Sequence, residues 1–427
     1  MKNIRSLVFW LKDTCLSHGI VKKTYSDVQR SFSETEENIE QLSAILKWAT
    51  EEVPFYRKFK GKSIEEFPVV NKNVVRDGGD DFLATCMKGQ PLHEETTSGS
   101  TGTPFRILQD KGKRLRASAD SLVMSDFAGF HLGTRLYYVR VWNDLNRKGW
   151  LGSHLKNIVM QDSDNLSDEA LEKWLVKMEK DKSEKSVLAY SSSLIALEKW
   201  MTRTGRKTTA KVACFITMSE SMPADTRKVL SQLFGCPVVS RYSNQECGLM
   251  SQQCAGGDEY HINTRSFYVE ILDMDKDEPV PDGVKGRIVV TDLYNRAMPL
   301  IRYDTGDIGA ISHSPKCGFK GKVFTSIEGR KVDCIYSTKG DMLSPVTIIN
   351  AMWFFNDLLQ YQFIQQGDKE YEVKLNSSTP TYYREDEVVS EMKKIVGEDA
   401  FIKITYVDEI PMLNSGKRKQ VVNNYKK

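Results

Sequence analysis

The chain has 427 residues, 40% hydrophobic and 27% charged, with a formal net charge of +3. That length exceeds one ordinary domain and supports a large core, so a soluble globular protein of two or more domains is expected. The small net charge gives no ground for a nucleic-acid partner. Eight cysteines without tight paired spacing fit a reducing, cytoplasmic setting better than a disulfide framework.

In chain order, the first feature is Leu7-Val8-Phe9-Trp10-Leu11, closely flanked by Arg5 and Lys12. It is too short to span a bilayer, and no small-residue cleavage site follows. An amphipathic helix docked on the body is expected, with a membrane-surface contact as the alternative. Residues 34–50 carry Ile39, Leu42, Ile45 and Leu46 at helical spacing. Next comes Thr96-Thr97-Ser98-Gly99-Ser100-Thr101-Gly102-Thr103-Pro104, with no large side chain and so unsuited to a core. Its glycines and hydroxyls suit a phosphate cradle, although no Gly-Lys-Ser/Thr follows as in a Walker loop. A flexible surface linker is the bland alternative.

Beyond it, 113–131 reads as a helix and 136–142 as a strand. Residues 167–204 give two helical stretches separated by 188–193. A strand over 212–217, a helix over 223–234 and a strand over 237–240 follow. This alternation argues for an α/β architecture. From 261 to 311 several short strands suggest a smaller β-rich subdomain. The chain then restarts as a compact α+β unit: a helix over 346–356, a hairpin of 361–366 with 371–375, a helix over 385–396 and a strand over 401–406. A large domain over 1–332 and a small, mobile C-terminal domain over 333–427 are expected.

Three further segments carry polar chemistry. Arg302-Tyr303-Asp304-Thr305-Gly306-Asp307 places two carboxylates on what reads as a turn, suited to ribose hydroxyls. Arg330, after Gly329, is a planar multi-donor cation suited to phosphate or ribose. Asn414-Ser415-Gly416-Lys417 presents a lysine after a Ser-Gly turn. Read alone, the first is equally a surface turn and the second equally a surface arginine, while the third reads more readily as a basic solvated tail.

Together and in order, these segments resemble the adenylate-forming superfamily of acyl-CoA synthetases, peptide-synthetase adenylation domains and luciferases. Within it the chain looks most like the phenylacetate–CoA ligase group and its capsular-polysaccharide ligase-like relatives. The resemblance covers residues 96 to 417. It implies that Thr96, Thr97, Ser98, Gly99, Ser100, Thr101 and Gly102 hold the ATP phosphates. It implies that Ser219 and Glu220, within 217–222, lie at the adenine-contacting strand end. In Tyr242-Ser243-Asn244-Gln245-Glu246, Tyr242 would stack near adenine and Glu246 would engage Mg²⁺. Asp307 matches the ribose-binding aspartate, Arg330 a second ribose or phosphate contact, Asp333 the hinge and Lys417 the catalytic lysine. The chain departs from the pattern at Ser243 and Gln245, and by one extra residue between Arg330 and Asp333. Neither departure removes a charged group.

The resemblance also raises a zinc site. Relatives hold zinc with a Cys, a His and a Cys-x-Cys pair; here Cys254, His261 and Cys317 remain, while Pro315 stands where the pair's first cysteine would be. Structural zinc sites usually have four protein ligands, so the expectation is a lost or weakened site. An intact one, with Cys247 as fourth ligand, is the alternative. Tyr137, Trp142, Tyr190 and Ser191 are expected to line the acyl pocket, with core packing the other reading of the aromatics.

The implied activity is ATP-dependent activation of a carboxylic acid to an acyl-adenylate, with release of pyrophosphate. Acyl transfer to coenzyme A would follow, or to an amine in surface polysaccharide biosynthesis. A nucleotide-binding relative without turnover would be expected to lack Lys417, Glu246 or Asp307, and all three are present. A homodimer is a common state at this size.

Overall fold

The computed structural model describes residues 4–34, 37–97, 105–140, 142, 147, 149–163, 166–219, 222–330, 334–343, 345–352, 354–355, 357–411 and 418–425. An eleven-stranded sheet organises the larger part. In one half, five parallel strands run in the spatial order Ile158–Asp162, Arg135–Arg140, Lys185–Tyr190, Phe215–Met218 and Val238–Asn244. Helices Asp168–Lys180, Ser191–Thr204 and Ala224–Phe234 link successive strands, as parallel pairing requires. Leu171, Leu175, Val187, Ala189, Leu197 and Phe215 form the core beneath. Residues 188–193, expected as a break between helices, instead end the Lys185–Tyr190 strand and open the next helix. A parallel strand buried on both faces has no alternation to reveal it.

At Val238–Asn244 the sheet changes character. A tight turn sends the chain back antiparallel as Gly248–Gln253. Strands Tyr260–Ile262, Val323–Arg330, Tyr303–Ser312, Gly286–Asp292 and Phe267–Leu272 continue outward in that order. The β-rich stretch expected as a subdomain is therefore the other half of the same sheet. The antiparallel hairpin His93–Thr97 with Phe105–Gln109 lies outside it. The Ser/Thr/Gly segment is the connection of this hairpin.

Residues 335–423 form a four-stranded sheet in the order Phe401–Tyr406, Glu370–Asn376, Gln360–Gln365, Val421–Asn423. Helices Pro345–Met352 and Glu385–Val396 share its core with Phe363, Val373 and Met392. The second helix has Glu385, Asp386 and Glu387 in its first turn and Lys393 and Lys394 in its last, each opposing the helix dipole. The hairpin, the second helix and the 401–406 strand lie where spacing places them. Strand Val421–Asn423 was not expected.

The N-terminal helix Ile4–Ser17 docks on helix Ile20–Gln29, but not by its apolar stripe. Trp10 meets Tyr25 edge-to-face at 5.9 Å. Buried Asp13 accepts from the Val21 and Lys22 amides at 3.1 and 3.0 Å. Gly19, preceding the second helix, has no side chain with which to cap it, so Asp13 satisfies those donors. Ile4, Leu7, Val8 and Leu11 are left exposed. This corrects the expectation of an apolar face turned to the body. Among the described residues no helix is long and apolar enough to cross a membrane, and all eight cysteines are free.

Candidate active site

Glu246 sits in the turn of the hairpin that joins the two halves of the sheet. Asn244 Oδ1 accepts from the Cys247 amide at 2.7 Å, and Gly248 takes φ +100°, which closes the turn. The Glu246 carboxylate is 3% exposed. Its Oε1 accepts from the Tyr303 hydroxyl at 2.9 Å and pairs with Lys72 Nζ at 2.6 Å. Neither partner was assigned a role from sequence. Lys72 arrives by a backbone register: Val70 bridges Tyr303 in parallel, its amide donating to Arg302 O at 3.0 Å while the Asp304 amide donates to Val70 O at 2.8 Å. Arg302 anchors that loop further, donating to the carbonyls of Glu65 and Phe67 while paired with Glu270 at 3.0 Å.

Tyr242 lies on the strand leading into this turn. Its hydroxyl donates to Asp307 Oδ2 at 2.7 Å, with Thr305 Oγ1 at 3.2 Å. Four strand steps separate the two strands in the sheet, roughly 19 Å if it were flat. The direct bond therefore requires the antiparallel half to curl until its concave face closes on itself. The segment read as a turn is a bulged strand: its pairing with Gly286–Asp292 shifts register between Asp304 and Ile308, and Gly306 takes φ +79°. Asp304 turns to Arg287 at 3.0 Å, so only Asp307 of the two carboxylates faces Tyr242. Arg330 pairs in register opposite Asp307.

Burial pushes both tyrosine hydroxyls up, reinforced by Asp307 at Tyr242 and by Glu246 at Tyr303. Both stay protonated donors across the physiological range. Phe105, which re-enters after the Ser/Thr/Gly segment, is stacked parallel to Tyr303 and lies 5.7 Å from Lys72 Nζ. The return strand of this hairpin thus begins beside the Glu246–Lys72–Tyr303 cluster. Thr96 is on its incoming strand, opposite Arg106.

Other expected positions are distributed as follows. Ser219, at φ +72°, follows the parallel strand Phe215–Met218, and Tyr190 and Ser191 stand at the end of its neighbour. They share the sheet edge at which Val238–Asn244 carries Tyr242. Ser243 and Gln245 are exposed, and Asn244 holds the turn. Trp142 is buried and donates to Gln161 O at 3.1 Å. Tyr137 is corrected: its ring belongs to the core, and its hydroxyl donates to Asp181 at 3.0 Å, at the opposite end of the strand from the site edge. The Thr97 side chain, Ser98, Gly99, Ser100, Thr101, Gly102, Glu220, the Arg330 side chain, Asp333 and Lys417 lie outside the described residues.

Away from this face, donor atoms of Cys254, His261 and Cys317 lie within 4.8 Å of one another. His261 Nε2 is 2.8 Å from Cys317 Sγ. Burial lowers His261 to about 4, keeping the imidazole neutral as a ligand must be, and pushes the Cys254 thiol up. The set fits three corners of a tetrahedral zinc site. Cys247 does not supply the fourth, because a six-residue strand, Gly248–Gln253, separates it from Cys254.

The family model for the CapK C-terminal domain matches residues 335–424. The phenylacetate-coenzyme A ligase of Thermus thermophilus is 24% identical over 380 residues, covering 82% of this chain and 83% of the relative. Protein CapK of Staphylococcus aureus is 21% identical over 381 residues, covering 87% and 82%. The solved structure of 2-hydroxyisobutyryl-CoA ligase in the postadenylation state, in complex with R3-HIB-AMP, matches with a TM-score of 0.67 at 16% identity, covering 96% of this chain and 90% of that one. Over most of its length this chain is similar to the adenylate-forming, phenylacetate–CoA ligase-like proteins and to CapK, and its residues 335–424 match the CapK C-terminal domain.

Proposed function

We propose that the curled face of the sheet is the active site of an AMP-forming ligase. It would use ATP to convert a carboxylic acid to an acyl-adenylate and then pass the acyl group to coenzyme A. The observation that carries this reading is convergence. The Tyr242–Glu246 strand and turn, Asp307 and the hairpin bearing the Ser/Thr/Gly segment are far apart in sequence and meet in one place.

In this reading the 96–102 segment cradles the triphosphate with amides and hydroxyls. Asp307, fixed by Tyr242 and flanked by Arg330, accepts from the ribose hydroxyls. The Tyr242 ring supports the adenine, with Ser219 and Glu220 at its edge. The substrate carboxylate is already ionised near neutral pH, so attack on the α-phosphate needs no general base. What it needs is positioning and relief of repulsion between two anions, which Lys417, Arg330 and Lys72 supply as fixed cations. Glu246 suits a Mg²⁺ ion, which binds through one or two carboxylates together with substrate phosphates; when bound, it neutralises triphosphate charge. Trp142, Tyr190 and Ser191 remain candidates for the acyl side. Asp333 would be the hinge of the 333–427 domain, whose rotation would exchange Lys417 for the acceptor. Zinc at Cys254, His261 and Cys317 would be structural.

A second reading, transfer to an amine rather than to coenzyme A, draws on the match of residues 335–424 to the CapK C-terminal domain. That part of the chain would face the acceptor. Acid-dependent exchange of labelled pyrophosphate into ATP, over a panel of aryl, fatty and amino acids, tests the first half-reaction. Exchange with one acid class is expected, falling about 10²–10³-fold in Lys417→Ala, the range seen when one stabilising donor is removed. Exchange that survives this substitution would exclude the assigned role. Adding coenzyme A or amines to the active pair then separates the two acceptors.

A further inference from the structure

The N-terminal helix turns its apolar side away from the protein. Successive residues lie 100° apart around a helix, so Ile4, Leu7, Val8 and Leu11 share an arc of about 100°. Their exposures are 73, 51, 58 and 56%. Leu16 at 63% and Ile20 at 44% extend the exposed apolar surface into the next helix. The inward side is fixed by Trp10 on Tyr25 and by buried Asp13 across the Val21 and Lys22 amides. The outward face is therefore set by the docking geometry.

The charge around the stripe is one-sided. Residues 4–26 contain Arg5, Lys12, Lys22 and Lys23 against a single carboxylate, Asp13, and Asp27, which follows, is paired with Arg116 and Arg265. The Asp13 carboxylate is buried and accepts two backbone bonds. Lys12 and Arg5 fall at one border of the stripe, where long stems can lie along an apolar layer with their charges above it. Two copies of this face brought together would juxtapose like charges. An anionic bilayer meets both needs at once, taking the aliphatic stripe among its acyl chains and the cations at its headgroups.

We propose that helix Ile4–Ser17 is an interfacial anchor that seats the enzyme on anionic phospholipid surfaces. The inference is independent of the adenylation chemistry. Its test is co-sedimentation of the full chain with phosphatidylcholine vesicles, with and without phosphatidylglycerol. Binding to the anionic vesicles is expected, weakened by added salt. The double variant Leu7→Asp/Leu11→Asp should lower the partition coefficient by about a hundredfold. Lys12→Glu should lower it by roughly tenfold; it changes only an exposed side chain, so it keeps the test valid if the double variant folds poorly. Absence of binding, or binding indifferent to both variants, would overturn the proposal. So would a concentration-dependent dimer in sedimentation equilibrium that both variants abolish without any vesicle binding, which would assign the stripe to a second copy.

Discussion

Each half of the sheet holds a buried tyrosine whose hydroxyl donates to an aspartate, and the two pairs have different surroundings. Tyr137 meets Asp181 at 3.0 Å in the parallel half; Tyr242 meets Asp307 at 2.7 Å in the antiparallel half. Asp181 also accepts from the Ser183 amide and hydroxyl and from Arg135. The cluster ties strand Arg135–Arg140 to the end of helix Asp168–Lys180. Asp307 is held by Tyr242 on a bulged strand, in the same closed face as Glu246, Lys72 and Tyr303. Under the proposed function, the same chemical pair fastens a core in one place and aims a carboxylate in the other. Its neighbours decide which.

The largest effect should come from Glu246. Glu246→Gln keeps the shape and the Tyr303 partner but removes the charge that faces Lys72. Pyrophosphate exchange is expected to fall about 10²–10³-fold, while the melting temperature moves far less than it does on removing Asp181. An unchanged exchange rate with a large loss of stability would place the Glu246 cluster with the Asp181 pair, as a fastening.

Much of the candidate site was legible because the adenylate chemistry that the resemblance implies needs charged and hydroxylic groups in segments that packing cannot explain. Residues 96–104 have no large side chain, and Glu246 and Asp307 stand next to glycine turns. Lys72 was not legible. In sequence it opens an ordinary short helix after Asn71, and only the bridge between Val70 and Tyr303 carries it to Glu246. Tyr137 misled for a related reason: alternation along a strand gives two faces without saying which one the helices cover. Strand Lys185–Tyr190 was hidden by its own burial, whereas helix Glu385–Val396 carries its own signals at both ends. What failed was information held in registers between distant segments.

A second prediction sharpens the contrast through pH. Burial alone would raise Asp181, but its bonds from Ser183, Tyr137 and Arg135 hold it at about 2. Its folded pKa therefore lies below the unfolded value near 3.8. The unfolded chain takes up this proton first as pH falls, so the stabilisation is complete above about pH 4 and is lost toward pH 2. It amounts to roughly 2 kcal/mol. Urea melts of the wild type and Asp181→Asn should differ by about that much at neutral pH and converge on acidification. A constant difference would mean that the substitution disturbs packing and not proton linkage.

The smallest effects divide the two tyrosines most cleanly. Tyr137→Phe removes one donor from a carboxylate that keeps Ser183 and Arg135, and should cost about 1 kcal/mol of stability. Exchange per folded molecule should not change, because the ring stays in the core and no substrate group is near it. Tyr242→Phe removes a donor of the same kind from Asp307. Its cost should appear mainly in ATP binding, as a KM for ATP raised about fivefold with kcat nearly constant, since a ribose-holding carboxylate contributes to ground state and transition state alike. A rise in KM for Tyr137→Phe, or none for Tyr242→Phe, would remove the functional distinction between the two halves. The opposite pattern would show that the curl of the antiparallel half, which brings Tyr242 to Asp307 across four strand steps, exists to aim one carboxylate at the nucleotide.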